Sequence, residues 1–431
     1  MKISVISKAD AFGGGASKVA VDLSAALPQL GCAVTHYVGW AGKERLRDTY
    51  PAHVKPIFGS FPLRFSVKCA LVGQWQLGIP EAIPVELLAV AASGALDGDL
   101  IHVHDITEVL SPLSLLWLSR RKPLIWTLHD CSPFTAGCIT PFDKEPLGCA
   151  RWTAEYGGCD RGCPVRTGRH YPFGGWFNGV PLLWQEKRLL SRRGRLHLTT
   201  PSNWLADEVE RSQLYFGKRP SLISNGIDVF GCFQRRDKDA CKSTLGLLPD
   251  RFLVALMAGD LSDANKGFAS AIETLHALPL DIKSRLQLIC IGTRDQIAVQ
   301  QLAGYSVYWA GYVQDQRLLS IMLNAADLML YPSLADNQPL AVLEALACAT
   351  PVFSFATGGI PETVGNDAGV IVARKDTQAL AAAIASSIHN GQLPAMSAAA
   401  RARAEANFSR ERMAANFLEI YRQVLDVQPA P

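Results

Sequence analysis

Short apolar runs that stop abruptly at polar residues recur along the whole chain, and they constrain its fold more than any other feature. "KISVIS", "CAVTHYVG", "LIHVHD", "PLIWTLHD" and "RLHLTTPS" form one series. "FLVALMAGD", "LQLICIG", "VYWAGYV", "LMLYPS" and "PVFSFATGG" form a second, which begins near residue 250. Runs without strict alternation read as strands buried on both faces, and amphipathic stretches such as "SKVAVDLSAALPQLG" read as the helices that cover them. The pattern predicts an α/β chain of two doubly wound, Rossmann-like domains facing each other across a cleft. A length of 431 residues suits two domains. Residues 225–250, with turn residues and charges but no sustained period, read as the linker. The expected division is an N-terminal domain over 1–230, a C-terminal domain over 231–408, and a last amphipathic helix over 409–431 that packs back towards the first domain.

Composition narrows function by exclusion. Hydrophobic residues at 48% and charged residues at 19% describe a globular protein, and a net charge of +3 makes no case for nucleic acid. No run approaches the roughly 20 apolar residues of a membrane span. The first residues, "MKISVIS", enter a strand with no signal-peptide pattern, so a cytoplasmic location is expected. Eleven cysteines in that compartment argue for thiols or a metal before disulfides.

Strands of parallel sheets end where ligands bind, and several such ends carry chemistry. After the first strand, Gly13, Gly14 and Gly15 let the backbone approach an anion at a helix start; a tight turn would use the same glycines. His104, His129 and Asp130 follow two further strands, where a histidine can bond a hydroxyl or move a proton, or can simply be satisfied by the backbone. Cys138, Cys149, Cys159 and Cys163 supply four thiolates, enough for a tetrahedral structural zinc, although the C-x3-C spacing matches no standard module. Lys266, beside Gly267 and after the first strand of the second series, is placed to neutralise a diphosphate or is an ordinary solvated charge.

The stretch "SLADNQPLAVLEALACATP" is the most informative. Pro339 suits the first turn of a strongly helix-forming segment, Asp336 sits in the loop before it, and Glu344 lies about five residues in, roughly 7–8 Å along the axis. Between the two acids stands a helix start whose unpaired amides attract an anion. Two acids gripping hydroxyls on either side of a phosphate pair describe a nucleotide-sugar: hexose, diphosphate, ribose. An acid favoured by the helix dipole and a buried, paired glutamate would look the same.

The Asp336-x7-Glu344 element resembles the E-x7-E signature of retaining glycosyltransferases of the GT-B fold, family 4 (group 1). "GGGASKVAVDLSAAL", "TLHDCSPFTAGC", "TPSNWLADEVERS", "LISNGIDVFGCF", "ANKGF", "DNQPLAVLEALACATPV" and "GGIPETV" follow that family's order over nearly the whole chain. "WTLHD…FT.GC…C.RW…CP" is similar to the subgroup that builds colanic acid and other exopolysaccharides. The resemblance implies that Glu344 binds the ribose, Asp336 the transferred sugar and Lys266 the diphosphate. It also implies that Gly14 and Gly15 lie near the diphosphate and that His129 faces the reacting sugar. Asp336, Asn337, Gln338, Pro339 and Leu340 fall on its donor-binding stretch, with Gln338-Pro339 in place of the usual Phe-Gly. His129, Asp130, Lys266 and Asp336 form the expected catalytic set. Asp260 replaces an arginine common ahead of the lysine.

The implied reaction is metal-independent transfer, with retention, of a hexose from a GDP- or UDP-sugar to a lipid-linked oligosaccharide. A sugar-nucleotide epimerase and a non-catalytic sugar-binding protein are the alternatives of similar architecture. "EKRLLSRRGRL", with Lys187, Arg188, Arg192, Arg193 and Arg195, would rest on anionic headgroups as a peripheral membrane contact, or is a solvated face.

Overall fold

The computed structural model describes residues 1–10, 13–40, 51–141, 149–159, 163, 179–293 and 300–426. The chain divides into two compact units: Met1–Ser224 joined by the chain from Met413 onward, and Asn225–Arg412.

In the first unit, the described residues form a seven-stranded parallel sheet in the order β3-β2-β1-β4-β5-β6-β7. Its strands are β1 (Lys2–Ala9), β2 (Ala33–Trp40), β3 (Val54–Pro56), β4 (Leu100–Val103), β5 (Leu124–Thr127), β6 (Leu196–Thr200) and β7 (Ser221–Leu222). Every residue of β4 and β5 is buried, which is why those runs do not alternate. The order reverses between β1 and β4, so the loops after β1, β4 and β5 leave neighbouring strand ends. The short edge strands β3 and β7 carry too little apolar sequence to announce themselves.

The second unit holds a six-stranded parallel sheet in the order β10-β9-β8-β11-β12-β13, again among the described residues. Here the strands are β8 (Phe252–Asp260), β9 (Leu286–Thr293), β10 (Ser306–Gly311), β11 (Leu328–Tyr331), β12 (Val352–Phe355) and β13 (Gly369–Val372). The reversal falls between β8 and β11, and both strands end in polar loops.

Five helices matter below: α1 (Gly15–Ala26), α2 (Phe61–Gln76), α3 (Val180–Arg193), α4 (Leu340–Ala347) and α5 (Arg410–Asp426). Helix α4 is apolar because it is central: all of Val342–Ala347 is buried, and α4 shares a core with Met329 and Val352 of the sheet and with Ala400 and Ala404. The stretch read as a linker is anchored instead. Asp237 caps a helix over Lys238–Thr244, and Asp327 accepts from Lys238 Nζ at 2.6 Å, Lys242 Nζ at 3.3 Å and the Leu253 amide at 2.8 Å.

Helix α5 completes the first unit. Met413, Phe417 and Tyr421, a helical stripe, are buried. The Phe417 ring lies 4.7 Å from that of His102, and the Tyr421 hydroxyl is 2.7 Å from His102 Nδ1. Tyr421→Phe strands a buried imidazole nitrogen without changing shape. It should cost the first unit about 1–3 kcal/mol, seen by calorimetry as a lowered transition temperature.

Candidate active site

At the strand reversal of the second unit, three loops meet backbone to backbone. A Cβ on Gly267 (φ 68°) would overlap the Pro332 carbonyl oxygen, and one on Gly358 (φ 55°) would overlap that of Asp336. The Leu334 amide donates to the Asn265 carbonyl at 2.8 Å, and the Gly359 amide to that of Asn337 at 2.8 Å. Only glycine tolerates both the positive φ and the approach. The loops after β8, β11 and β12 are therefore locked to one another before any side chain acts.

Asp336 sits at this junction and is heavily used. Lys266 Nζ lies 2.8 Å and 3.0 Å from its two oxygens. The Tyr331 hydroxyl donates to Oδ2 at 2.8 Å, and Ser333 Oγ lies 2.6 Å from the same atom. Lys266 itself ends a turn whose start Asp263 caps through the Asn265 amide at 2.9 Å. Burial and the neighbouring charges of Asp336, Asp263 and Glu344 hold the Tyr331 phenol well above its ordinary value, so it stays a proton donor. The two expected ligands Lys266 and Asp336 are thus brought together, as partners of each other.

Helix α4 begins just beyond. Pro339 takes the cap position without a side-chain hydrogen bond to the helix start, and its carbonyl accepts from the Val342 amide at 3.1 Å. Leu340 is the first helical residue, and Glu344 is buried one turn further along. Gln338 turns inward: its Oε1 accepts from the Asn225 amide at 2.7 Å, and its carbonyl accepts from Asn225 Nδ2 at 3.1 Å. Asp260, where a cation was expected, folds onto Ser262, accepting from its amide at 2.9 Å and its hydroxyl at 2.7 Å. The result is an ammonium paired with Asp336, in the loop that leads into an uncapped helix start, with Glu344 buried one turn along that helix.

In the first unit, Gly14 (φ 101°) precedes α1 with no side-chain cap, and Gly15 is its first residue. The Gly13 amide closes the turn on the Asp10 carbonyl at 2.9 Å. Two strands along, His104 Nδ1 lies 3.0 Å from His129 Nε2, while His104 Nε2 is buried without a partner. A buried lone pair costs less than a buried N–H, so His104 donates and His129 carries its proton on Nδ1. His102 bridges Tyr421 to Thr127 Oγ1 at 2.7 Å, and His36 Nε2 donates to Ser7 Oγ at 2.8 Å. Sequence reading missed His36 and His102; the only signal was histidine inside otherwise apolar strands. Asp130 accepts from the Ser132 amide at 2.7 Å, and burial pushes its carboxyl up to about 6 against that bond.

Two expectations are corrected. The four cysteines do not assemble a zinc site: among the described residues no group of three or more His, Cys, Asp or Glu is placed to hold a metal ion, and Cys138, Cys149, Cys159 and Cys163 are all free of disulfides. Cys159 and Cys163 belong to the apolar core, where burial pushes the Cys159 thiol up to about 12. Lys187 is buried in α3 and donates to the Ser132 carbonyl at 2.6 Å, so it cannot face headgroups; Arg192, Arg193 and Arg195 are exposed.

Burial holds His36 and His102 near 3 and His129 near 4, and keeps His104 well below its ordinary value. These imidazoles stay neutral when folded but take protons when unfolded below about pH 6.5, so stability falls as pH drops from there towards 4. Asp130 and Glu186, raised to about 6 and about 7, act in the opposite sense but are fewer. Melting temperature followed from neutral to acid pH should fall, and His36→Asn should flatten the slope by about one proton's worth, about 1.4 kcal/mol per pH unit.

Comparison with known proteins bears on this geometry. Residues 13–229 match the family described as Glycosyltransferase Family 4, and residues 253–390 match Glycosyl transferases group 1. WcaC of Escherichia coli (strain K12), named for glycosyl transfer in colanic acid biosynthesis, is 25% identical over 380 residues, covering 84% of this chain and 85% of its own. The sucrose-phosphate synthase structure from Thermosynechococcus elongatus superposes with a TM-score of 0.71 at 19% identity, over 99% of this chain and 100% of that one. Anabaena Alr3699/HepE in complex with UDP-glucose gives 0.66 at 19% identity, over 98% and 100%. With half its length matched by one profile and much of the remainder by the second, the chain belongs to glycosyltransferase family 4 and is a nucleotide-sugar-dependent glycosyltransferase of the GT-B fold.

Proposed function

We propose that the chain transfers a hexose, with retention, from a GDP- or UDP-sugar held in the second unit to a lipid-linked oligosaccharide held by the first. The product would enter an extracellular or capsular polysaccharide. The observation that carries this reading is the Lys266 ammonium paired with Asp336, in the loop that leads into an uncapped helix start with Glu344 buried one turn along. WcaC's name, which assigns it to colanic acid biosynthesis, supports the pathway class, and the UDP-glucose complex of HepE supports the donor class.

In this reading the diphosphate docks against the amides of Leu340 and its neighbours and against Lys266. Glu344 accepts ribose hydroxyls, Asp336 a hexose hydroxyl, and Asn337 and Pro339 shape the wall between them. Gln338 contributes by fixing the loop to Asn225 rather than by touching the donor. The leaving diphosphate gathers negative charge as the glycosidic bond breaks, and Lys266 with the helix start stabilises it, the task a divalent cation performs in metal-dependent transferases. The acceptor hydroxyl attacks from the same face, and its proton passes to the departing phosphate oxygen. His129, neutral at physiological pH, holds a sugar hydroxyl by hydrogen bonding rather than by charge. Asp130 lies one residue further along.

Isothermal titration with UDP and GDP should find one of them bound tightly, and Lys266→Ala and Glu344→Ala should each weaken that binding roughly tenfold or more. Transfer from the matching nucleotide-sugar should fall further in Lys266→Ala, because its charge serves the leaving group. Unchanged binding and transfer in Glu344→Ala would overturn the donor assignment.

A further inference from the structure

Helix α2 is amphipathic the wrong way round for a core helix. Its buried residues are Val67 and Gln74, while Phe61 is 65% exposed, Phe65 58%, Val72 45% and Trp75 47%. At 3.6 residues per turn these four, with Lys68 and Cys69, fall within one sector of about 120°. The helix is well formed: Ser60 caps it through the Leu63 amide, and the Phe61 and Phe65 rings stack at 6.2 Å. The chain continues the exposed apolar surface with Leu77, Ile83 and Leu88.

Charge selects the occupant. Between Pro51 and Pro80 there is no acidic residue, while Lys55, Arg64 and Lys68 are present. Lys68 lies inside the apolar sector, where a protein–protein interface would be depleted of charge. A bilayer accepts this arrangement, because a lysine stem can lie along the apolar surface while its ammonium reaches the headgroups. Aromatic rings on such a helix suit the same boundary.

We propose that α2 lies in the interfacial plane of an anionic bilayer. Phe61, Phe65, Val72 and Trp75 enter the acyl boundary, and Lys68 meets lipid phosphates. The inference rests on the membrane contact that a lipid-linked acceptor requires, and moves its main surface from the arginines at the end of α3 to α2.

The test is sedimentation of the full chain with phosphatidylcholine vesicles, with and without phosphatidylglycerol. The parent should pellet with the anionic vesicles, and Phe65→Glu/Val72→Glu should bind roughly tenfold or more weakly, whereas Arg192→Glu/Arg193→Glu should lose only a minor part. Undiminished binding in the α2 variant, or no binding by the parent, overturns the proposal. So does a halved mass in solution for that variant, which would make the face a contact between two copies. A second readout needs no disruptive change. Cys69 is the exposed thiol, the other cysteines being buried or half-buried, so an environment-sensitive fluorophore attached there should brighten and shift to the blue on anionic vesicles. Emission that does not move, measured against a Cys69→Ser control, also overturns it. Nucleotide titration is independent of both readouts, so failure here leaves the donor assignment standing.

Discussion

The carboxylate of Asp336 is the contact on which the second unit's chemistry depends. It takes hydrogen bonds from a lysine after β8, from a tyrosine ending β11 and from a serine in its own loop. β8 and β11 are the neighbours between which strand order reverses, so one acid ties together the two loops that an open parallel sheet offers a ligand. Gly267 and Gly358 make this possible by letting backbone meet backbone where a Cβ would collide.

The first unit solves a different problem. Imidazoles gather on its central strands and at their ends, and α5 packs Phe417 and Tyr421 on one of them, His102. Burial keeps these rings neutral, and they spend their hydrogen bonds inside the unit: His104 on His129, His102 on Tyr421 and Thr127, and His36 on Ser7. The Tyr421–His102–Thr127–Thr199 chain, with each link at 2.7 Å, runs from the last helix across three strands. It ties the end of the sequence to the sheet whose end holds His129.

Much of this was legible in the sequence because burial on both faces of a parallel sheet leaves an uninterrupted apolar run. All ten quoted runs lie on strands, and the Asp336-x7-Glu344 spacing landed on a loop and a buried helix. The sequence could not show what each polar side chain spends its hydrogen bonds on. Gln338 looked like a ligand because of its position in a motif, yet its partner Asn225 lies 113 residues away. Lys187 looked like part of a basic face, but helical phase alone turned it inward while Arg192 and Arg193 stayed out. The cysteines failed as a metal site for a related reason: four ligands of the right type say nothing about whether their sulfurs converge. The strands β3 and β7 were missed because two or three residues are too few to show a run, and β13 because three of its four residues are only half-buried.

The pairing of Lys266 with Asp336 also bears on the order of events in the proposed transfer. An arriving diphosphate offers Lys266 one anion in exchange for another, so the ammonium is never left bare and the exchange costs little. Asp336 is then released from only one of its three donors. Its Oδ2 stays gripped by Tyr331 at 2.8 Å and Ser333 at 2.6 Å, which fixes the carboxylate plane, while Oδ1, whose partner is Lys266, becomes the free acceptor. That oxygen is the one left to take a hexose hydroxyl. Under the proposed function the phosphate would therefore unmask the acid that takes the sugar, and a free monosaccharide, bringing no anion, would find Oδ1 still occupied by the lysine. Aspartate in place of glutamate fits this arrangement: the shorter side chain stays within reach of the tyrosine and serine that orient it, and under the proposed function selectivity for an activated donor would follow from the hydrogen-bond count at one carboxylate.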